Sequence, residues 1–158
     1  KADIQHWPVV GTLATGAGTL YIERESRRDA MRVVHHMAER LSLGEVLAVF
    51  PEGTTGDGAT LLPFHANLLQ AALATDSPIL PVGLAYLHGP GQARLGEARR
   101  HDAPTYIGDT TLIASIWRTL KAGNVRAELR YGPPQRAGGM DRRTWAQVLR
   151  RDIGAMLD

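Results

Sequence analysis

The amino-acid sequence predicts an α/β fold with a mainly parallel sheet flanked by helices. Two observations carry that expectation. Short apolar runs of β-type residues alternate with longer segments of helical period, and no internal repeat interrupts the alternation. A third observation bounds it: 158 residues, 44% apolar and 22% charged, suffice for one domain (1–158) with a single core.

In chain order, "TLYI" (19–22), "VLAVF" (46–50), "ILPVGLAYL" (79–87) and "VRAELRY" (125–131) read as buried strands. Between the first two lies a helix. Ser26 with Asp29 three residues on is a start signal, and Ala30, Val33, Val34, Met37, Ala38 and Leu41 keep the helical period until Gly44 ends it. A second helix, over about 64–74, turns Phe64, Leu68, Leu69, Ala72 and Leu73 inward. A third spans about 110–121. The last, from about Arg142, carries Trp145, Val148, Leu149, Ile153, Met156 and Leu157 on one stripe. Asp141, Asp152 and Asp158 dilute its arginines, which favours a core-packing stripe over a membrane-surface one and predicts a buried Trp145. The Gly- and Arg-rich stretch 88–104 reads as a mobile surface loop.

Composition excludes several classes. A net charge of +2 and a pI near 9.3 suit an anionic ligand or surface but give no footprint for nucleic acid. The pairs Arg27-Arg28, Arg99-Arg100, Arg142-Arg143 and Arg150-Arg151 read as solvated helix faces. With no cysteine there is neither a disulfide scaffold nor a thiolate metal site. No apolar stretch approaches the roughly 18 residues of a membrane span, and no signal peptide opens the sequence. Its first residue is Lys1, not Met, as expected of a fragment or a processed form.

The richest chemistry lies in "AVFPEGTTGDG" (48–58), placed at the carboxyl end of a predicted strand, where α/β folds seat ligands. Pro51 stops strand pairing, Gly53 permits close approach or a positive φ, and Thr54 and Thr55 offer hydroxyls and N–H groups. Neither a phosphate-cradling G-x-x-x-x-G-K-[ST] nor a G-x-G-x-x-G occurs there, and no G-x-S-x-G elbow is present. Glu52 lacks the apolar surroundings of a raised-pKa base, apart from Phe50, and lacks the companions of a metal ligand. It reads as an organiser, accepting hydrogen bonds from loop N–H groups or from a ligand hydroxyl.

"FPEGTT" resembles the F-P-E-G-T-[RS] block of the glycerolipid acyltransferases, the lysophosphatidic acid acyltransferase group. Three further blocks match in order. "KADIQHWPVVG" (1–11) is similar to a segment in which a lysine-containing strand end leads to proline and glycine. "GTLYIERESRRDA" (18–30) is similar to G-x-x-[FY]-[IV]-x-R, with Arg24 at the acceptor-binding arginine, and "ILPVGLAYL" to [IV]-x-P-V, with Pro81 at its proline. The likeness is strong over roughly the first 90 residues and weak beyond.

Two departures stand out. The family's base is a histidine held by an aspartate in an H-x-x-x-x-D block, whereas none of the six histidines here has Asp five positions on. That block precedes the lysine-containing segment in the family, so it is expected upstream, and no catalytic residue is expected in this chain. His6 beside Trp7 reads as a packing or surface histidine, and His65 is the one outsider for a substitute base. At Thr55 many members carry Arg or Ser, and threonine cannot grip a phosphate bidentately. The "FPEGTT-x-DG" form is similar to the branch acylating lyso-ornithine lipid, with lysophosphatidic acid equally open.

The resemblance implies an O-acyltransferase of membrane lipid biosynthesis. It would move a fatty acyl group from acyl-CoA or acyl-carrier protein to the hydroxyl of a lysophospholipid or lyso-ornithine lipid. Arg24, Glu52, Gly53, Thr54, Thr55 and Pro81 are the implied acceptor-binding residues. No metal and no cofactor beyond the acyl donor are expected. The implied location is the cytoplasmic face of a bacterial inner membrane, peripheral or anchored by an upstream segment. The alternative is a non-catalytic lipid-binding module that keeps the pocket and lacks the base.

Overall fold

A computed structural model describes residues 10–16, 27–89, 100–108 and 110–158. The predicted strand 19–22, the start signal at Ser26 and most of the expected mobile loop fall outside these residues. The chain forms two compact units, one of residues 1–48 with 70–77 and one of residues 49–69 with 78–158.

In the first unit, α1 (Val10–Gly16), α2 (Arg27–Ser42) and α3 (Gln70–Ala74) are the regular elements among the described residues. The helical period read from the sequence holds. Val33 and Met37, one turn apart on α2, are buried against Ala71 of α3, with Val34, Ala38, Leu41 and Leu47 packed around them. Helix α2 ends as its sequence dictates. Gly44 takes φ 81°, its N–H bonds to Leu41 O, and Glu45 N–H reaches back to Arg40 O, a Schellman closure that only a residue free of a Cβ penalty forms cheaply.

In the second unit, a 3-10 turn (Ala66–Leu69) precedes β1 (Val82–His88), α4 (Leu112–Ala122), β2 (Val125–Tyr131) and α5 (Arg142–Leu157). The helix predicted over 64–74 is thus a 3-10 turn passing directly into α3. β1 and β2 pair antiparallel, from Val82 opposite Tyr131 to His88 opposite Val125. A two-stranded antiparallel ladder therefore stands among the described residues, where alternation predicted a mainly parallel sheet. The run 46–50 corrects the expectation of a buried strand. Among the described residues it pairs with no strand, and Phe50 is 79% exposed. Apolar character alone does not make a strand, which also needs a partner edge, and none of the described residues supplies one.

α5 covers one face of the ladder. Gly83 lies so close to Leu157 that a Cβ there would stand 3.0 Å from Leu157 Cδ2. Trp145 is fully buried, as its stripe position predicted, and Ala146 and Leu149 are buried beside it on α5. Asp141 caps this helix. Its carboxylate accepts from the N–H groups of Arg143 (2.8 Å) and Thr144 (3.3 Å) and from the Thr144 hydroxyl (2.6 Å). Those bonds, the hydroxyl's foremost, hold its pKa below the ordinary Asp value. α4 starts likewise at Thr111, whose hydroxyl accepts from Ala114 N–H.

Candidate functional site: a fastened loop and its cavity

The segment following Phe50 folds back on itself through local bonds. Gly53 N–H turns back to Phe50 O at 3.1 Å, and His65 N–H closes onto Pro51 O at 2.8 Å. Glu52 Oε2 accepts the N–H of Leu62, ten residues on, at 2.7 Å. A carboxylate bonded to a backbone N–H in this way fixes the loop's span. Asp57 Oδ1 accepts from Ala59 N–H at 2.8 Å and sets the tip. Gly53 has φ 66°, and a Cβ on it would lie 2.7 Å from His65 Cδ2. The glycine is thus required twice, by backbone and by space.

Distant residues tie the same loop down. Arg150 of α5 donates from Nε (3.1 Å) and Nη2 (2.6 Å) to Leu61 O. Arg100 donates to Gly58 O and, at 3.4 Å, to Leu157 O. Thr55 Oγ1 donates to Tyr106 O. Arg100 and Arg150 depart from the reading of their pairs as solvated faces: each donates part of its guanidinium to a backbone carbonyl of the loop and keeps further N–H groups on the cavity wall.

The loop walls one side of a cavity of about 780 Å³ whose lining includes Glu52, Thr54, Thr55, Asp57, Leu84, Tyr86, Arg100, His101, Asp102, Tyr106 and Arg150. The structure thereby gathers Glu52, Thr54 and Thr55 around one space. Gly53 shapes the loop behind them. Pro81 stands apart: it is fully buried, and its carbonyl accepts Gly132 N–H at 2.9 Å. Arg24 lies outside the described residues. His65 is exposed and packs over Gly53.

Several lining residues were invisible to motif reasoning. The His101 side chain is largely buried and stacks on His88 with ring centroids 4.2 Å apart. Its Nδ1 accepts Ala103 N–H at 3.1 Å, which assigns the ring proton to Nε2 in the neutral form. Arg100, Asp102, Tyr106 and Arg150 reach the cavity through tertiary packing, and no local spacing announces that. Cationic and anionic side chains share the wall, so the cavity can hold a ligand bearing both signs of charge. No group of three or more metal-ligating side chains gathers among the described residues.

A family model described as Acyltransferase matches residues 1–85. The chain belongs to the acyltransferase family. It is 33% identical over 157 residues to a lyso-ornithine lipid O-acyltransferase of Pseudomonas aeruginosa, an alignment covering 97% of this chain and 56% of that protein. A 1-acyl-sn-glycerol-3-phosphate acyltransferase of Neisseria gonorrhoeae is 36% identical over 118 residues, 75% of this chain and 43% of the relative. A lyso-ornithine lipid O-acyltransferase of Brucella abortus is 30% identical over 166 residues, 99% of this chain and 61% of the relative. This acyltransferase-family chain thus spans about half the length of the relatives it matches. No solved structure matches it significantly.

Proposed function

We propose that the protein containing this chain transfers a fatty acyl group from acyl-CoA or acyl-carrier protein to the hydroxyl of a lysolipid, and that this chain supplies the acceptor site. One observation carries the reading. The "FPEGTT" loop of an acyltransferase-family chain is fastened around a cavity, with Glu52, Thr54 and Thr55 on its wall. In the reaction the acceptor oxygen forms an ester bond to the thioester carbonyl carbon, the carbon–sulfur bond breaks, and the hydroxyl proton passes by way of a base to the departing thiol. That base is assigned to an H-x-x-x-x-D block outside this chain, so residues 1–158 bind and orient. Glu52, held by Leu62 N–H through one oxygen, keeps lone pairs to accept from an acceptor hydroxyl. Arg24 is assigned to the acceptor's anionic group, and Gly53 and Pro81 to the shape of the site.

The cavity wall favours a zwitterionic headgroup. Arg100 and Arg150 suit a carboxylate, whereas Asp57 and Asp102 suit an ammonium and repel a phosphate dianion. Lyso-ornithine lipid carries both groups, so it is the proposed preferred acceptor, with lysophosphatidic acid second. In the whole protein we expect the runs 19–22 and 46–50 to pair and extend a mainly parallel sheet, and the protein to work at the cytoplasmic face of a bacterial inner membrane. The lack of H-x-x-x-x-D in residues 1–158 favours one other reading, a lipid-binding module without catalysis. Incubating the full-length protein with labelled acyl donor and each acceptor separates them. Labelled ester on lyso-ornithine lipid supports transfer, and bound but unacylated acceptor supports the module.

A further inference from the structure

α4 is amphipathic the wrong way round for a core helix. Its polar side faces the protein. Arg118 Nε donates to Ala103 O at 2.9 Å and its guanidinium also to Thr105 O, Thr119 Oγ1 donates to Ala103 O at 3.2 Å, and Ser115 is buried. Its apolar side faces out, with Ile113 81%, Trp117 59% and Leu120 69% exposed and Ile116 between them. These four stand at i, i+3, i+4 and i+7, one continuous stripe along about 10 Å of helix. The helix is held in this pose by hydrogen bonds, so the outward stripe is a built feature of the unit.

Charge and position say what covers it. Residues 110–122 contain no acid, and of their two cations Arg118 is bonded inward while Lys121 stands beside the stripe. Lys121 Nζ sits 5.2 Å from the Trp117 ring, the pairing of an aromatic anchor with a cation at its edge that suits an anionic lipid boundary. The carbonyls that fasten α4 belong to Ala103 and Thr105, beside Asp102 and Tyr106 of the cavity wall. Resting on the lysolipid reading of that cavity, we propose that α4 lies in the interface of an anionic phospholipid bilayer. There it brings the cavity mouth to the membrane, so that an acceptor's headgroup enters while its acyl chain stays in the lipid. None of the described helices is long and apolar enough to span a membrane, and this surface contact needs no span.

The test uses the full-length protein with an environment-sensitive dye on Leu120→Cys, and a control dye on Arg143→Cys of α5. Vesicles of phosphatidylethanolamine with phosphatidylglycerol should raise the Leu120 dye's emission at least twofold and expose it to spin-labelled lipid. The Arg143 dye should not respond, and neutral phosphatidylcholine vesicles should give a weaker signal. In the Ile113→Ser/Leu120→Ser variant, transfer to acceptor in vesicles should fall at least tenfold, while transfer to a short-chain, monomeric acceptor stays within twofold. A Leu120 dye already shielded without lipid means that the protein's own chain covers the stripe. Shielding that grows with protein concentration means a second copy does. Either result, or loss of short-chain transfer in the Ser variant, overturns the proposal. If the unsubstituted protein acylates no short-chain acceptor, the lysolipid reading fails by itself, while the dye response still reports whether α4 meets lipid.

Discussion

Gly53→Ala tests the loop's construction with a magnitude that can be worked from its geometry. The position has φ 66°, and an alanine there costs about 1–2 kcal/mol from backbone alone. Its Cβ would stand 2.7 Å from His65 Cδ2 and 3.0 Å from Nε2, so the imidazole must leave its present rotamer. A displaced rotamer costs about 0.5–1.5 kcal/mol. Alanine also restricts the unfolded chain, which offsets roughly 0.4–1 kcal/mol. The balance is a loss of about 1–2.5 kcal/mol, local to the loop. Native-state hydrogen exchange of the Leu62 amide reads it directly, because that N–H is donated to Glu52 within the closed loop. Protection should fall by roughly 5- to 70-fold. In a His65→Ala background the clash disappears and only the backbone cost remains, so the same substitution should cost less there. Equal cost in both backgrounds, or Leu62 protection unchanged by Gly53→Ala, would refute the reasoning.

Trp145 is fully buried, and its indole N–H has no acceptor among the described residues; Trp145→Ala should destabilise the protein by about 3–5 kcal/mol in urea titration. A loss under 1 kcal/mol in that titration would mean that the stripe of α5 is not the core of its unit. Asp141 titrates below the ordinary Asp value because its ionised form caps α5 through Thr144 and Arg143. Its contribution is therefore complete above the unfolded-state pKa of about 3.9 and is lost as pH falls through the lower folded value. Asp141→Asn should flatten that part of the acid-stability curve, as thermal melts between pH 2 and 5 would show, with about one pH unit between points.

Where a feature is made by neighbours in sequence, the sequence disclosed it. α5 starts at the predicted Arg142, α2 ends at Gly44, and β2 occupies the predicted run, because caps and Schellman closure act within a few residues; the burial expected of 125–131 does not hold, since every residue of β2 is exposed or half-buried. The candidate loop was legible for the same reason: Pro51, Glu52 and Gly53 are adjacent, and the Glu52 bond reaches only to Leu62. What stayed hidden was set by long-range partners. Arg100 bonds a carbonyl 42 residues away and Arg150 one 89 residues away, and nothing local distinguishes either from a solvated arginine. The antiparallel ladder was equally hidden, since β1 and β2 are joined by a long connection through α4 and apolar runs do not encode strand direction. Burial of 46–50 likewise depends on a neighbouring strand, and none stands beside the run among the described residues.

The central claim is that the fastened "FPEGTT" loop binds the acceptor and that Glu52 acts there by hydrogen bonding, without transferring a proton. Acceptor kinetics of the full-length protein at saturating donor, comparing Glu52→Gln with Glu52→Ala, test it most directly. Glutamine keeps the shape and one accepting oxygen for Leu62 N–H, so kcat/KM for the acceptor should fall less than for alanine. The alanine variant, leaving that N–H unpaired, should lose about 1–3 kcal/mol of transition-state binding. Equal and near-complete loss in both variants, with parent activity following a single ionisation near neutral pH, would make Glu52 the proton-transfer group and contradict the account.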